Sequence, residues 1–149
     1  MKAVIQRVSE ASVKVEGKIV GEISNGLLLL IGIDELDEKS DADWLVQKIL
    51  NLRIFGDDEG KLNRSVVDIS GQILCISQFT LNANYKKGNR PSFIKAAKPE
   101  KAVPLFEYFK TAVAQSGLKT ESGIFGADMK VSLLNDGPVT IVMDSKTKM

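Results

Sequence analysis

A run of seven apolar or glycine residues at positions 27–33 constrains the fold of this chain more than any other sequence feature. It follows the turn signal Asn25-Gly26, and Gly32 inside it disfavours a helix. A short, continuous apolar run of this kind is typical of a strand that is buried on both faces. A second apolar segment, residues 73–81, is interpreted as another buried strand. The chain is therefore expected to fold around a covered β-sheet.

Shorter extended segments flank this sheet core. Apolar and polar residues alternate in residues 11–15, which is the period of a half-buried strand, and an extended pattern resumes at residues 19–23 after Gly17. Residues 129–134 and 139–143 are predicted as two further strands.

Two helices are predicted from apolar residues at helical intervals. Ser40 is the expected N-cap of the first helix, with Asp43 three residues later at the spacing of a capping box. The second helix is expected over residues 100–116 and should end at Gly117. Because Pro104 is unfavourable inside a helix, the regular helix should start only a residue or two before it.

The predicted order β-β-β-β-α-β-α-β-β describes an α/β protein with a mixed, mostly antiparallel sheet and two main helices. Residues 55–63 and 82–97 are expected to be loops. No repeat, low-complexity tract or linker divides the sequence, and 149 residues is the size of one ordinary domain. We therefore expect a single domain over residues 1–149.

The chain contains no histidine and one cysteine, Cys75. This composition excludes a Ser-His-Asp triad, a Cys-His dyad, a histidine general base and zinc sites built from Cys and His. An intramolecular disulfide is impossible, which fits a reducing compartment, and Cys75 is expected to be a small buried apolar residue. No cofactor and no metal are expected, so any chemistry must use hydroxyls, amides, backbone N–H groups, carboxylates, lysines or the substrate itself.

Charge is unevenly distributed, although the net charge is only +1. Residues 84–110 carry seven basic and two acidic side chains. A solvated surface explains any single lysine, but the cluster, flanked by Tyr85 and Phe93, is also the best candidate for binding a phosphate backbone. The residues that would do so are Lys86, Lys87, Arg90 and Lys95.

Nothing in the sequence predicts an exported or membrane-bound protein. Residues 1–10 are interrupted by charged side chains and cannot form the apolar region of a signal peptide. The most hydrophobic stretch, residues 27–31, is far shorter than the ~20 residues of a membrane helix. The sequence predicts a soluble, cytoplasmic protein with no membrane partner.

The segment Ser77-Gln78-Phe79-Thr80-Leu81 introduces polar side chains at the end of a buried strand. Sites are often built at strand ends, because a rigid element meets a loop there, but a strand that simply emerges into solvent would show the same pattern. Thr80 has no histidine and no lysine within five residues to act as its base. Its hydroxyl is therefore expected to form hydrogen bonds rather than to attack.

Asn135-Asp136-Gly137-Pro138 is the second segment of interest. These residues suit an ordinary turn between the two predicted C-terminal strands. An X-Pro bond also adopts the cis form at a cost of only about 0.5–1 kcal/mol, so Gly137-Pro138 is a candidate for a special backbone geometry. The pattern alone leaves both interpretations open.

Both segments closely resemble the signature motifs of the D-aminoacyl-tRNA deacylase family, as SQFTL at residues 77–81 and NDGPVT at residues 135–140. The resemblance spans the whole chain, because AVIQRVSEASV at residues 3–13, GNRPSF at residues 88–93 and GIFGADM at residues 123–129 also match. It implies a barrel-like β core and a homodimer. It further implies hydrolysis of the ester that joins a D-amino acid, or a wrongly attached glycine, to the terminal adenosine of tRNA.

By this resemblance Gly137 and Pro138 form a chirality filter, which reaches through a cis bond across the dimer into the partner's pocket, and Arg7 helps to hold it in place. Phe125 and Met129 are candidates for the wall of an adenosine pocket, with a role in the core as an equal alternative. The residues that line the reaction centre are Ser77, Gln78, Phe79 and Thr80.

A steric filter of this kind would reject an L side chain, release a D side chain toward solvent and admit glycine. Without histidine, catalysis is expected to depend on the 2′-OH of the terminal ribose and on an oxyanion hole from backbone N–H groups near Phe79 and Thr80. Two alternatives remain. One is a sister family that acts on L-alanyl-tRNA, although Ser77, Phe79 and Asp136 match the D-specific branch. The other is a tRNA-binding module without catalytic activity.

Overall fold

The computed structural model describes residues 1–148 of the chain. Within this range three strands precede the first helix, three more separate it from a 3-10 turn, and a long connection leads from that turn to the second helix. The elements in chain order are β1 (Lys2–Val15), β2 (Lys18–Ile23), β3 (Gly26–Gly32), α1 (Lys39–Asn51), β4 (Phe55–Gly56), β5 (Leu62–Arg64), β6 (Gln72–Ser77), the 3-10 turn (Phe79–Asn82), α2 (Pro99–Ala114), β7 (Thr120–Ser122) and β8 (Lys130–Asp144).

The main sheet has six strands in the order β2-β1-β3-β6-β7, with β8 also paired to β1. β1 is antiparallel to β2, β3 and β8, whereas β6 is parallel to both β3 and β7. The sheet curls so that β2 also lies against β6 and β7. The predicted fold class, a mixed and mostly antiparallel barrel-like β core with two helices, is confirmed.

β3 is buried on both faces, as its sequence predicts. Leu27 and Leu29 point into a cluster that includes the two helices, whereas Leu28 belongs to a second cluster inside the curled sheet with Leu74 and Ile76 of β6. Successive residues of a strand point to opposite faces, so a continuous apolar run is what a doubly covered strand requires.

Gly32, at the end of β3, allows the 3-10 turn to pack directly against the strand. A Cβ atom at this position would lie 2.8 Å from Leu81 Cβ and 3.1 Å from the Gln78 carbonyl oxygen. The chain after Ser77 therefore folds across the end of β3 and does not continue as a strand. The predicted strand at residues 73–81 is too long for this reason.

The helices cover one face of the sheet, and none within residues 1–148 has the length and apolar character needed to cross a membrane. The N-cap of α1 is Glu38, and the Asp41 carboxylate accepts its N–H at 2.8 Å. The prediction that Ser40 is the N-cap was wrong, because tertiary contacts hold Asp41 where its carboxylate stabilises Glu38 in that position.

α2 begins at Pro99, a residue type suited to the first helical position. The later start predicted from Pro104 was wrong because that residue is exposed, so water can satisfy the carbonyl group that it leaves unpaired.

The two predicted C-terminal strands are in fact one strand. Both halves of β8 pair with β1 and run in the same direction, so the interpretation of residues 135–138 as a turn between strands was wrong. Asn135 lies opposite Val8 and Thr140 lies opposite Gln6, so the intervening residues bulge out of the ladder. The small elements β4, β5 and β7 were missed because segments of two or three residues show no hydrophobic period.

A buried cluster of charged groups connects the first and last strands to α1. The α-ammonium group of Met1 donates to Asp37 Oδ1 at 2.6 Å and to Ser145 Oγ at 2.8 Å. The Ser145 hydroxyl donates to Asp41 Oδ1 at 2.7 Å, and Lys146 Nζ donates to Asp41 Oδ2 at 3.0 Å. Burial opposes ionisation of Asp41, but these hydrogen bonds and one from a backbone N–H outweigh it and lower the pKa of Asp41 to about 2.

Candidate functional site

A cavity of about 250 Å³ opens where β3 and β6 end, and we refer to it as the main cavity because Ser77, Gln78 and Phe79 line it. The 3-10 turn and the connection from β7 to β8 form its rim. Its wall is mostly apolar, with a few polar side chains on one side, as is usual for small-molecule sites. The lining residues are Ile31, Ile33, Ile76, Ser77, Gln78, Phe79, Ala97, Ala102, Phe125, Gly126, Ala127, Asp128, Met129 and Val131.

Gln78 organises the polar side of the main cavity. Its backbone N–H donates to the Ile31 carbonyl at 2.8 Å, which ties the turn to β3, and its Nε2 donates to Thr80 Oγ1 at 2.6 Å. The Thr80 hydroxyl thus accepts a hydrogen bond and has no basic partner. Within residues 1–148 the backbone N–H groups of Phe79 and Thr80 have no acceptor, as expected for the first N–H groups of a helical turn. This geometry offers hydrogen-bond donors and no nucleophile–base pair.

Aromatic and sulfur-containing side chains form the apolar side. Phe79 is 57% exposed and packs edge-to-face on Phe93, with ring centroids 5.1 Å apart. Phe125 is half-buried and contacts Phe106 of the core at 6.4 Å between centroids, while also lining the cavity. Met129 is half-buried and lines the cavity as well. Phe125 therefore belongs both to the core and to the cavity wall, which are the two roles that the sequence left open.

The bulge in β8 is exposed at Asp136, Gly137 and Pro138, and the Gly137–Pro138 peptide bond is cis. Asn135 Oδ1 accepts the N–H of Val139 at 2.8 Å, which closes the bulge at its base. The Asn135 amide also donates to the Thr140 hydroxyl at 2.9 Å.

Arg7 holds the bulge from β1. Its Nε donates to the Asp136 carbonyl at 2.8 Å, and its Nη1 donates to the Ile54 carbonyl at 2.7 Å. Gly137 has φ +140°, and a Cβ atom there would lie 2.9 Å from Arg7 Nη2 and 2.9 Å from Val139 Cγ2. The position therefore requires glycine on both conformational and steric grounds.

The two motifs do not meet within one chain. Neither Gly137 nor Pro138 lines the main cavity. In the sheet, Ser77 pairs with Ile31, which pairs with Ala3, which in turn pairs with Met143 of β8. Ser77 and Met143 therefore lie at the same height across the sheet. Pro138 lies beyond Thr140, and the three regular positions from Met143 to Thr140 alone correspond to about 10 Å along the strand at ~3.3 Å per residue. The bulge also projects from a strand on the other side of β1.

The basic residues predicted to bind RNA fall into two groups. Lys86 and Lys95 line a second cavity beside the 3-10 turn, whereas Lys87 and Arg90 are exposed on the loop and line neither this cavity nor the main one. Sequence reasoning missed Lys2 and Asn82, which line the same cavity. Only the pairing of β1 brings Lys2 to this position, so no local signal could have found it.

Cys75 takes no part in the site. It is fully buried, and burial raises the pKa of its thiol to about 12. Within residues 1–148, no three His, Cys, Asp or Glu side chains are grouped closely enough to hold a metal ion.

Comparison with known proteins gives concordant matches. The family profile described as D-Tyr-tRNA(Tyr) deacylase matches residues 4–144. The D-aminoacyl-tRNA deacylase of Flavobacterium johnsoniae is 58% identical over 149 residues, with 99% of both chains covered. The protein of the same name from Bacteroides thetaiotaomicron is 57% identical with equal coverage.

Two solved structures share the fold. One, described as c-Myc DNA Unwinding Element Binding Protein, has a TM-score of 0.91 and 42% identity, with 97% of this chain and 98% of that chain covered. The other, a probable eukaryotic D-amino acid tRNA deacylase, has a TM-score of 0.81 at 17% identity, with 95% and 97% covered, and supports the fold alone. The profile and the sequence relatives carry the assignment, and the chain belongs to the D-Tyr-tRNA(Tyr) deacylase family.

Proposed function

We propose that this protein hydrolyses the ester of D-aminoacyl-tRNA and of glycine wrongly attached to tRNA, releasing free tRNA and the amino acid. The observation that carries the proposal is the main cavity, because Ser77, Gln78 and Phe79 of the SQFTL segment line it and the segment supplies hydrogen-bond donors without a protein nucleophile. The 55–58% identity to relatives named D-aminoacyl-tRNA deacylase supports it. With this substrate, the enzyme would act in the cytoplasm, where tRNA is charged.

The proposed active unit is a homodimer. β8 is a long edge strand, and Val142 on it is 66% exposed, in register with half-buried Val4 on β1 and Leu30 on β3. A long edge strand is a template for pairing with another chain, and an exposed apolar row marks an interaction site. A second copy of this chain would cover the row and bring the Gly137-Pro138 bulge to the partner's cavity.

Inside the partner's cavity the bulge would act as the chirality filter. Its carbonyl oxygens can accept hydrogen bonds from the substrate ammonium group. With that group and the ester both fixed, an L side chain would collide with the Gly137-Pro138 wall and a D side chain would point to solvent. Glycine has no side chain to reject, so a filter that works by exclusion admits it.

Catalysis would depend on positioning. The terminal adenosine would lie against Phe125 and Met129, which places the ester beside the 3-10 turn. The free N–H groups of Phe79 and Thr80 would stabilise the charge that develops on the ester oxygen, and Ser77 and Gln78 would complete the polar wall. The vicinal 2′-OH of the substrate would assist the attack of water, because no residue of the site can act as a strong base.

The test is discharge of tRNA at catalytic enzyme concentrations. We expect rapid release of D-tyrosine and glycine, negligible release of L-tyrosine and L-alanine, and a nearly inert 2′-deoxy substrate. Faster release of L-alanine than of D-tyrosine would identify the sister activity. Binding of tRNA without any ester cleavage would identify a nucleic-acid-binding module. Equal hydrolysis of the 2′-deoxy ester would overturn the mechanism alone.

A further inference from the structure

A second cavity, of about 300 Å³, lies beside the main one and has a lining of mixed chemistry. Three of its side chains are lysines, Lys2, Lys86 and Lys95, and one is a carboxylate, Asp34. Tyr85 also lines it and is 74% exposed, so that the phenol ring is available for contact. We refer to it below as the lysine cavity.

Asn82 gives the lysine cavity an acceptor without a partner. This residue is only 4% exposed, and its Nδ2 donates to the Ile33 carbonyl at 3.0 Å. Its Oδ1 is buried and accepts no hydrogen bond from residues 1–148. A buried acceptor without a partner costs stability unless a donor reaches it. Because Asn82 lines the lysine cavity, a ligand that brings an N–H or O–H group is the kind that would satisfy this oxygen.

The lysine cavity and the main cavity share one structural element. The 3-10 turn begins with Phe79, which lines the main cavity, and ends with Asn82, which lines the lysine cavity. Three residues of such a turn rise about 6 Å, which is on the order of the step between neighbouring nucleotides in a single strand. A chain of nucleotides that enters the main cavity with its last base can therefore place the preceding one in the lysine cavity.

We propose that the lysine cavity binds the nucleotide that precedes the terminal adenosine of tRNA, a cytidine in mature tRNA. This inference rests on the proposed function and extends it. The ammonium groups of Lys2, Lys86 and Lys95 neutralise its phosphate, and Tyr85 contacts the base.

Asn82 Oδ1 accepts a hydrogen bond from an amino or hydroxyl group of that nucleotide. The Asp34 carboxylate, which already accepts the Leu36 N–H at 2.9 Å, favours a ligand with donors over a bare phosphate.

Two substrates of different length test the proposal without any variant. D-tyrosyl-adenosine fills the main cavity alone, whereas the D-tyrosyl ester of the dinucleotide CpA also reaches the lysine cavity. We expect kcat/KM to be about tenfold higher for the dinucleotide, chiefly through KM, as for one charge-assisted contact. Equal kcat/KM for the two esters would overturn the proposal. If neither ester nor D-tyrosyl-tRNA is cleaved, the proposed function itself is wrong.

Exposed side chains provide variants that should leave the fold intact. Tyr85→Ala and Lys95→Gln should each raise KM for the dinucleotide ester and for D-tyrosyl-tRNA about tenfold, while kcat/KM for D-tyrosyl-adenosine stays unchanged. Lys87→Gln is the matched control, since it lies on the same loop outside the cavity, and should have little effect on the dinucleotide. An equal loss on the adenosine ester, or an equal effect of Lys87→Gln on the dinucleotide, would contradict the assignment.

Discussion

The two signature segments of this chain are held in opposite ways. In the segment at the end of β6, Gln78 and Thr80 contact each other, and the N–H groups at the start of the 3-10 turn have no acceptor within residues 1–148. In the β8 bulge, Asn135 and Arg7 tie the backbone on both sides of Gly137. The first segment faces a cavity of its own chain, whereas the second projects into solvent.

This difference fits the two tasks that we propose for the segments. A centre that stabilises developing charge needs donors that are not already used, placed on a rigid element. A filter that excludes by contact needs a wall that does not yield, because an L side chain will pass if the wall moves. Such a wall must be rigid although it is exposed, and here Arg7 and Asn135 hold it in place.

Among single substitutions in the bulge, Gly137→Ala should have the largest effect on activity. The new methyl group would clash with Arg7 and Val139 at a backbone φ of +140° that alanine avoids. We expect kcat/KM for D-tyrosyl-tRNA to fall about 100-fold and the preference for D over L to shrink. Gly60→Ala is a matched control, because Gly60 also has positive φ but faces open space. Wild-type activity and chirality in Gly137→Ala would show that the bulge is not the filter.

Arg7→Ala removes the brace and leaves the bulge sequence intact. Two backbone carbonyls, of Asp136 and Ile54, lose their charged donor. We expect a fall of roughly 30-fold in kcat/KM, with increased hydrolysis of L-tyrosyl-tRNA. Arg7→Lys should recover only part of the loss, since an ammonium group lacks the two-pronged geometry. A variant with reduced thermal stability and unchanged D-to-L ratio would assign Arg7 to the fold alone.

Thr80→Ala tests the segment at the end of β6. Its hydroxyl accepts from Gln78 Nε2 and is not paired with a base, so its removal should lower kcat by less than about tenfold. Single-turnover hydrolysis of D-tyrosyl-tRNA measures this directly. A loss comparable to that of Gly137→Ala would mean that Thr80 is a nucleophile after all.

The smallest expected effect concerns pH. Because the chain lacks histidine, kcat should show no inflection from a protein base between pH 5.5 and 8. Stability has its own acid limit: the pKa of Asp41 is lowered from 3.8 to about 2, so its roughly 2 kcal/mol contribution is complete above pH 4 and disappears as pH falls toward 2. Thermal unfolding against pH should show this loss, and Asp41→Asn should lack it. An inflection of kcat near pH 6.5 would contradict the positioning mechanism.

Sequence patterns predicted those parts of the fold that depend on residues close together in the chain. The apolar run at residues 27–33 specifies a doubly covered strand because every side chain in it must find an apolar neighbour. Helical periodicity located α1 and α2. The polar residues after Ile76 indicated the segment that lines the cavity, although the strand before it was predicted four residues too long.

Parts that depend on distant partners could not be predicted in this way. Asn-Asp-Gly-Pro has the composition of a hairpin turn, and only the pairing of both flanking halves with β1 makes it a bulge. The same long-range pairing brings Lys2 to the lysine cavity. Glu38 is the N-cap of α1 in place of the expected Ser40, because Ser145 and Lys146 hold the Asp41 carboxylate that accepts the Glu38 N–H.

Mixing of subunits tests most directly the central claim that the bulge of one subunit serves the cavity of another. One variant is Gly137→Ala, and the other is Ala127→Trp, whose indole ring would fill the main cavity. Each homodimer should be nearly inactive. If the bulge acts across the dimer, a heterodimer has one site with an intact cavity and an intact bulge. The heterodimer should then show about half of the wild-type activity, and a fully exchanged equimolar mixture about a quarter. Activity of the mixture equal to the mean of the two parents would contradict the account.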